Sequence, residues 1–425
     1  MNINILTIGS RGDVQPYIAL GVGLQRAGHT VRLTTHATFQ DTITRYGLDF
    51  WPIGGNIQDI TQGESGQRMI EAGGNPFQAL SRLRQALEPI LAECLDQTWH
   101  SCQDVDAVIS SGTAFFGDDV AERLGLPSFI ALLQPILPTG SLTHPMASQL
   151  RLGKTVNRLT YQFFNQFYWQ LFKQSVNHWR QHTLQLAPHQ ECPFLSHRWR
   201  SLPKLFGYSP SVIPHPPDWD ATHHVTGYWF LDVPSDFSPP SDLQAFLDAG
   251  KPPVSIGFGS MSSRDAETTT AIALAALERT GQRGVLLTGW GGIQNTDLPD
   301  HVFKVDSIPH DWLFPQMNAI VHHGGAGTTA AVLRSGVPGV VVPFFADQPF
   351  WGDRTATLGV SPQPIPKKKL SVDRLARAIE QALESSDMRQ RAEQMGKHIR
   401  AEDGVSHVVQ VVNATLTSPQ PLLSP

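Results

Sequence analysis

Residues 320–354 read IVHHGGAGTTAAVLRSGVPGVVVPFFADQPFWGDR. An apolar strand predicted over Ala319 to His322 runs into Gly324-Gly325-Ala326-Gly327. Thr328 and Thr329 then open a helix predicted to Arg334, and a second strand follows from Gly339 to Phe344. Strand, glycine turn, helix and strand make one unit of a parallel α/β sheet. Small residues let an anion approach the backbone, and the free N–H groups of a helix start favour negative charge, so Gly324, Ala326, Gly327 and Thr328 are candidate phosphate contacts. A turn tightened by glycine for packing alone fits the string equally well. Successive strand residues point to opposite faces, so one of His322 and His323 is expected to face a ligand and the other to be buried. No carboxylate or cysteine stands beside them at ligand spacing, and no metal is expected. Beyond the second strand come Asp347 and Gln348. At the carboxyl end of a parallel strand, an acid and an amide suit sugar hydroxyls, although Asp347 before Pro349 also suits a helix cap.

The same alternation extends in both directions. From Pro253 it gives strand Val254 to Phe258, helix Ala266 to Arg279 and strand Gly284 to Thr288. At the other end it gives strand Asn2 to Ile8, helix Val14 to Arg26, strand Thr30 to Thr35, strand Asp106 to Ser110, helix Asp118 to Leu124 and strand Ser128 to Leu133. The fold class is therefore α/β with two parallel-sheet domains, in keeping with 425 residues at roughly 150 per domain. Ten of the 32 prolines fall between Pro203 and Pro253, a density that breaks helices and central strands. The expected organisation is a first domain over 1–210, a linker over 211–250, a second domain over 251–398 and a terminal helix from 399, returning toward the first domain before the tail that ends at 425.

Composition narrows the function. A net charge of -5 with 16% charged residues argues against a nucleic-acid partner. Cys94, Cys102 and Cys192 form no CxxC and read as idle thiols. No GxxxxGK[ST] occurs, and Gly9-Ser10-Arg11-Gly12 after the first strand lacks dinucleotide-binding spacing. The opening MNINILTIGSRGD has neither a basic n-region nor an apolar h-region, so a cytoplasmic protein is expected, with peripheral contact at a membrane surface left open.

Taken together, GSRGDVQPYIALGVGLQRAGHTV, GFGSM at 257–261, SIPHDWLFPQ, HHGGAGTT and FFADQPFWGDR resemble the GT-B glycosyltransferases that use a nucleotide sugar, within the branch of sterol and natural-product glucosyltransferases. The resemblance implies two Rossmann-like domains facing across a cleft, the N-terminal one for the acceptor and the C-terminal one for the donor. It implies that His322 touches the donor diphosphate, that Gly327 and Thr328 hold it, and that Asp347 and Gln348 read the sugar. Ser307, Ile308 and His310 fall in the segment that recognises base and ribose, where many plant relatives carry Trp-x-Pro-Gln. Ser10, Arg11, Gly12 and Ser260 are expected on the donor side, and Trp290 is a candidate for stacking or equally for core packing.

An alcohol that attacks an anomeric carbon with inversion needs a general base opposite the leaving diphosphate. The resemblance assigns that place to Asp13. The plant branch uses a histidine oriented by an aspartate; here the aspartate stands alone, with Ser110 and Ser111 where the orienting carboxylate would be. Asp13 as a helix cap is the competing reading, and Asp118 is a second carboxylate to compare. Eight aromatics lie between Tyr161 and Trp179; Phe164, Phe167 and Trp169 are the candidate acceptor wall, against a plain packing helix. The expected activity is metal-independent, inverting transfer of a hexose, glucose from UDP-glucose, to a hydroxyl of an apolar acceptor such as a sterol. No bound cofactor is expected, the UDP-sugar being a co-substrate. A transferase for dTDP-deoxysugars and a non-catalytic sugar-nucleotide or lipid binder remain the alternatives.

Overall fold

A computed structural model describes residues 1–54, 76–148, 153–234, 237–258, 266–288 and 298–417. The first domain contains β1 (Asn2–Leu6), α1 (Arg11–Arg26), β2 (Thr30–Thr35), α2 (Gln40–Arg45), β3 (Asp49–Pro52), α3 (Pro76–Ser101), β4 (Ala107–Ser111), α4 (Gly117–Leu124) and β5 (Ser128–Leu132). It continues through α5 (Lys154–His182), α6 (His197–Ser201), β6 (Lys204–Phe206) and β7 (His223–Val225). The second contains α7 (Ser241–Asp248), β8 (Val254–Gly257), α8 (Ala266–Thr280), β9 (Gly284–Leu287), β10 (Val302–Val305), α9 (His310–Leu313), β11 (Ala319–His322), α10 (Ala326–Ser335) and β12 (Gly339–Val341). It closes with α11 (Gln348–Thr357), α12 (Val372–Glu384) and α13 (Ser386–Ala401), and α14 (Gly404–Thr417) follows.

The strands form two sheets, ordered β3-β2-β1-β4-β5-β6-β7 and β10-β9-β8-β11-β12, and every pairing is parallel. Parallel strands are covered on both faces, which is why β1, β4, β5, β8 and β11 are almost unbroken runs of buried residues. In each sheet the order reverses once, between β1 and β4 and between β8 and β11. The loops leaving such neighbours diverge and leave a crevice at the carboxyl ends of the strands. The loop after β1 and the first turn of α1 carry Ser10 to Asp13; the loop after β11 carries His323 to Gly325.

Two expected boundaries move. β7 pairs with β6, so the first sheet reaches Val225 and not 210. Trp229 then packs edge-to-face on Tyr17 at 5.7 Å, while Leu243 and Leu247 of α7 are buried in the second domain, so the connector is confined to the chain between them. The prolines were a poor guide because many sit in loops flanking these short strands.

The return of the chain begins at Gly404. Glu402 Oε1 accepts hydrogen bonds from Ser209 Oγ at 2.6 Å and Ser211 Oγ at 3.0 Å, fastening the crossing point to the first domain. Val408 and Val412 are then buried with Val14, Ile18 and Leu24. Helix α14 can lie this close because α1 presents Gly23, where a Cβ would stand 2.1 Å from Val405 Cγ1. Valine is branched at Cβ and cannot swing aside. Gly23→Ala should therefore lower stability by about 1–3 kcal/mol, measured by urea unfolding.

Candidate active site

Helix α1 starts at Arg11, with Ser10 as its N-cap and Asp13 in the third helical position. Asp13 Oδ2 accepts hydrogen bonds from the Ser10 N–H and the Ser10 hydroxyl, both at 2.9 Å. A Cβ on Gly9 would lie 2.5 Å from the same oxygen, so a glycine is required there. Burial raises the Asp13 pKa, and the two hydrogen bonds oppose that rise. Asp13 is thus both the reciprocal half of a capping box and a buried carboxyl group with a raised affinity for a proton. Ser110 is buried and Ser111 caps the turn over Gly112–Ala114, so neither orients it. Ser10 does, and its hydroxyl proton is spent on Asp13, which corrects its expected role toward the donor.

Across the crevice stands α10. Its N-cap is Gly325, with no side-chain cap, so the first N–H groups of the helix face the opening. Gly324 (φ +87) makes the turn in the left-handed region, and a Cβ there would meet Val341 Cγ1 at 2.7 Å and the Gln348 carbonyl oxygen at 3.0 Å. A Cβ on Gly327 would lie 3.7 Å from the Gly12 Cα, so the two helix starts almost touch. Arg11 Nη1 donates to Ser307 Oγ at 3.3 Å across the same gap.

The two histidines divide, but not as expected. His322 is fully buried; its Nδ1 accepts from the Gly324 N–H at 3.2 Å, and its Nε2 lies where a Cβ on Gly339 would be 3.3 Å away. It faces the sheet interior and cannot touch a diphosphate. His323 is partly exposed and lies over the helix start, with its Nε2 2.5 Å from the Cβ position of Gly325. Burial pushes the pKa of His323 down to about 4 and those of His322 and His310 to about 3, so all three imidazoles are neutral at pH 7. A neutral His323 can donate one N–H to an anion. Strand alternation predicts that the two differ; only the turn decides which faces out.

Asp347 is the N-cap of α11, and its Oδ2 accepts from Trp351 Nε1 at 2.9 Å. Burial raises its pKa; the Asp13 carboxylate adds to the rise, while hydrogen bonds from Trp351 and Gln134 lower it. The two acids therefore feel each other, and Gln134, just past β5, reaches the same site from the first domain. Gln134 was not anticipated, although its position after a strand carboxyl end was the available signal. Gln348 is buried, and its Oε1 accepts from the Phe344 and Phe345 N–H groups at 2.8 and 3.3 Å, holding the loop in shape. Its expected reading of sugar hydroxyls is not supported by that oxygen. Thr328 and Ala326 lie partly exposed on the first turn of α10.

Ser307 is exposed, whereas Ile308 is buried among Leu313, Phe314 and Val332, so that side chain is core. His310 stacks on Phe314 at 4.3 Å. Ser260 and Trp290 lie outside the described residues. Phe164, Phe167 and Trp169 do not line one pocket. Trp169 is buried against Phe115 and His189, Phe164 stacks on His144 at 4.4 Å, and Phe167 faces outward. Residues 164, 167 and 169 take different angles around the helix, so one linear cluster serves three surfaces. Asp118 is buried and paired with Arg198 at 2.7 and 3.0 Å. Among the described residues, no group of three His, Cys, Asp or Glu side chains is arranged to hold a metal ion. Cys94, Cys102 and Cys192 are free and buried, as their spacing suggests.

The family description "Glycosyltransferase family 28 N-terminal domain" matches residues 3–142, and "Erythromycin biosynthesis protein CIII-like, C-terminal domain" matches residues 291–415. Sterol 3-beta-glucosyltransferase UGT80A2 of Arabidopsis thaliana is 37% identical over 417 residues, covering 96% of this chain and 65% of the relative. Sterol 3-beta-glucosyltransferase UGT80B1 of the same plant is 37% identical over 429 residues, covering 99% of this chain and 69% of the relative. The chain thus spans about two thirds of the length of these plant proteins. Among solved structures, the glycosyltransferase of kitacinnamycin aligns with a TM-score of 0.70 at 17% identity, over 98% of this chain and 99% of that one. That likeness is one of fold, the two-domain GT-B arrangement.

Asp13→Asn tests the burial of this carboxyl group. The raised pKa means that the folded protein holds the Asp13 proton more tightly than the unfolded chain does, so stability falls as pH rises from the ordinary value of 3.8 through the folded value. An amide removes that loss, and Asp13→Asn should be more stable than the parent at pH 7, a gap that closes below the ordinary carboxylate range. Thermal unfolding across pH measures it. Asp118→Asn breaks the Arg198 pair instead and should destabilise, by less than the about 3–5 kcal/mol of a fully buried pair, because Arg198 is 28% exposed and burial already raises the Asp118 pKa.

Proposed function

Since the chain belongs to the family of the sterol 3-beta-glucosyltransferases, we propose that it moves a hexose, glucose from UDP-glucose, with inversion and without a metal ion, to the hydroxyl of a sterol or similar apolar acceptor. The observation that carries the reading is the carboxylate of Asp13 held at one lip of the crevice, opposite the uncapped start of α10.

In this mechanism the acceptor hydroxyl lies against Asp13, which takes its proton as the oxygen forms a bond to the anomeric carbon. The bond from that carbon to the diphosphate oxygen breaks on the opposite face, and the electron pair leaves with UDP. The developing charge falls on the N–H groups of Ala326, Gly327 and Thr328, on His323 and on the nearby Arg11. A neutral His323 supplies a donor without repelling Arg11. Asp347, oriented by Trp351 and Gln134, presents its carboxylate to accept from sugar hydroxyls. The stabilisation assigned to a metal in other phosphate-leaving reactions is assigned here to the helix start and these side chains.

Mass spectrometry of reactions with UDP-glucose, dTDP-rhamnose and a sterol panel separates this reading from the deoxysugar alternative, and donor binding without turnover on any acceptor would favour the non-catalytic one. Asp13→Asn should lose about 10²–10⁴-fold in kcat with donor affinity kept. His323→Ala should weaken UDP binding in calorimetry by about 10–100-fold, whereas Asp347→Ala should leave UDP affinity near the parent's and reduce turnover. Equal losses of UDP affinity in the two variants would sink the division of roles. Activity should persist in EDTA; a loss restored by Mg²⁺ would remove the metal-independent mechanism.

A further inference from the structure

The large apolar side chains left exposed are not scattered. On α5, Val156 is 40% exposed, Leu159 51%, Phe163 66% and Phe167 43%. Steps of three and four residues put all four on one face of the helix, opposite the buried Tyr161, Trp169, Val176 and Trp179. Met146, 56% exposed, sits in the short turn Pro145–Ala147 beside this helix. That turn is tied to α5 by the His144 N–H, which donates to Thr160 Oγ1 at 2.9 Å, and by the stack of His144 on Phe164. It also packs against α11, whose N-cap is Asp347. Phe345, 50% exposed, lies two residues before that cap. Apart from Met1, these are all the large apolar side chains exposed among the described residues. They lead from the outer face of α5 toward the mouth of the crevice. A monomer in water gains nothing from a stripe of this kind.

Charge identifies what covers it. The chain carries a net charge of -5, yet no Asp or Glu occurs between Glu122 and Glu191, while Arg123, Arg151, Lys154, Arg158, Lys173 and Arg180 all fall in that interval. Arg180 is held by Asp119 and Glu122, and Arg158 by Asp218 at 2.8 Å. Lys154, at the first residue of α5, and Lys173, beyond the apolar stripe, have no ion pair among the described residues. An apolar stripe on a helix that has bases and no acids matches a surface that is oily beneath and negative on top. A second copy of the chain packed face to face would bring like charges together.

We propose that this face of α5, with Met146 and Phe345, docks on an anionic lipid bilayer. Docking there sets the crevice mouth against the lipid, so that an acceptor hydroxyl can reach Asp13 while its apolar body stays in the bilayer; this consequence, unlike the docking, rests on the acceptor reading above.

The test is flotation of the full chain with vesicles of phosphatidylcholine alone or mixed with phosphatidylserine, without donor or acceptor, so that its outcome is independent of the reaction. The parent should float with the mixed vesicles and less with phosphatidylcholine alone, and added NaCl should weaken the binding. The double variant Leu159→Ser, Phe163→Ser should lose about tenfold or more in partitioning while keeping the parent's circular dichroism and UDP affinity. The charge reversal Lys154→Glu, Lys173→Glu should lose the preference for phosphatidylserine. A parent that stays unbound, or a serine variant that floats like the parent, overturns the proposal. So does a parent dimer that the serine variant converts to monomer, since the stripe would then be an interface between copies.

Discussion

Two helix starts meet head to head across the crevice, α1 at Gly12 and α10 at Gly327, close enough that a Cβ on one would touch the backbone of the other. Each start carries unpaired N–H groups and the positive end of a helix dipole, and Arg11 adds a full charge. Such an arrangement favours an anion between the helices. The acids that flank it, Asp13 and Asp347, are raised in pKa chiefly because they are buried, and the positive helix starts and Arg11 oppose their charge beside the cradle.

That meeting depends on how the domains are held. Glu402 is fastened to Ser209 and Ser211, and α14 buries Val408 and Val412 against α1, so the end of the second domain is anchored on the helix that carries Asp13. Burying two such valines supplies about 1.5–3 kcal/mol each. Arg354 Nε adds a hydrogen bond to the Val212 carbonyl at 2.5 Å, and one apolar cluster runs from Phe115 and Tyr228 into Leu333 and Trp351.

The capping box gives Asp13 two functions that reinforce each other. As the third residue of α1 it accepts from the N-cap N–H, which fixes its χ angles; as a buried carboxyl it has a raised affinity for a proton. A histidine in its place would need a separate carboxylate to orient it, and Ser110 and Ser111 leave no such group. Ser10 orients the carboxylate directly.

From the residues alone came the α/β class, the two domains, and a glycine turn after β11 and an acid–amide pair after β12 that fit phosphate and sugar as well as they fit packing and a helix cap, because periodicity and glycine turns are local properties of the chain. The resemblance added the cleft and the base. Tertiary structure decided what depends on direction. His323 rather than His322 faces the crevice, because the left-handed turn at Gly324 sets where each ring points. Gln134 joins Asp347 because β5 ends opposite α11, a neighbourhood that residues more than 200 positions apart cannot announce. The aromatics of 161–179 separate into core, stack and exposed stripe because a helix sends adjacent side chains 100° apart. Local order is written in neighbouring residues; the surface each side chain meets is set by packing, which brings together parts of the chain that share no local signal.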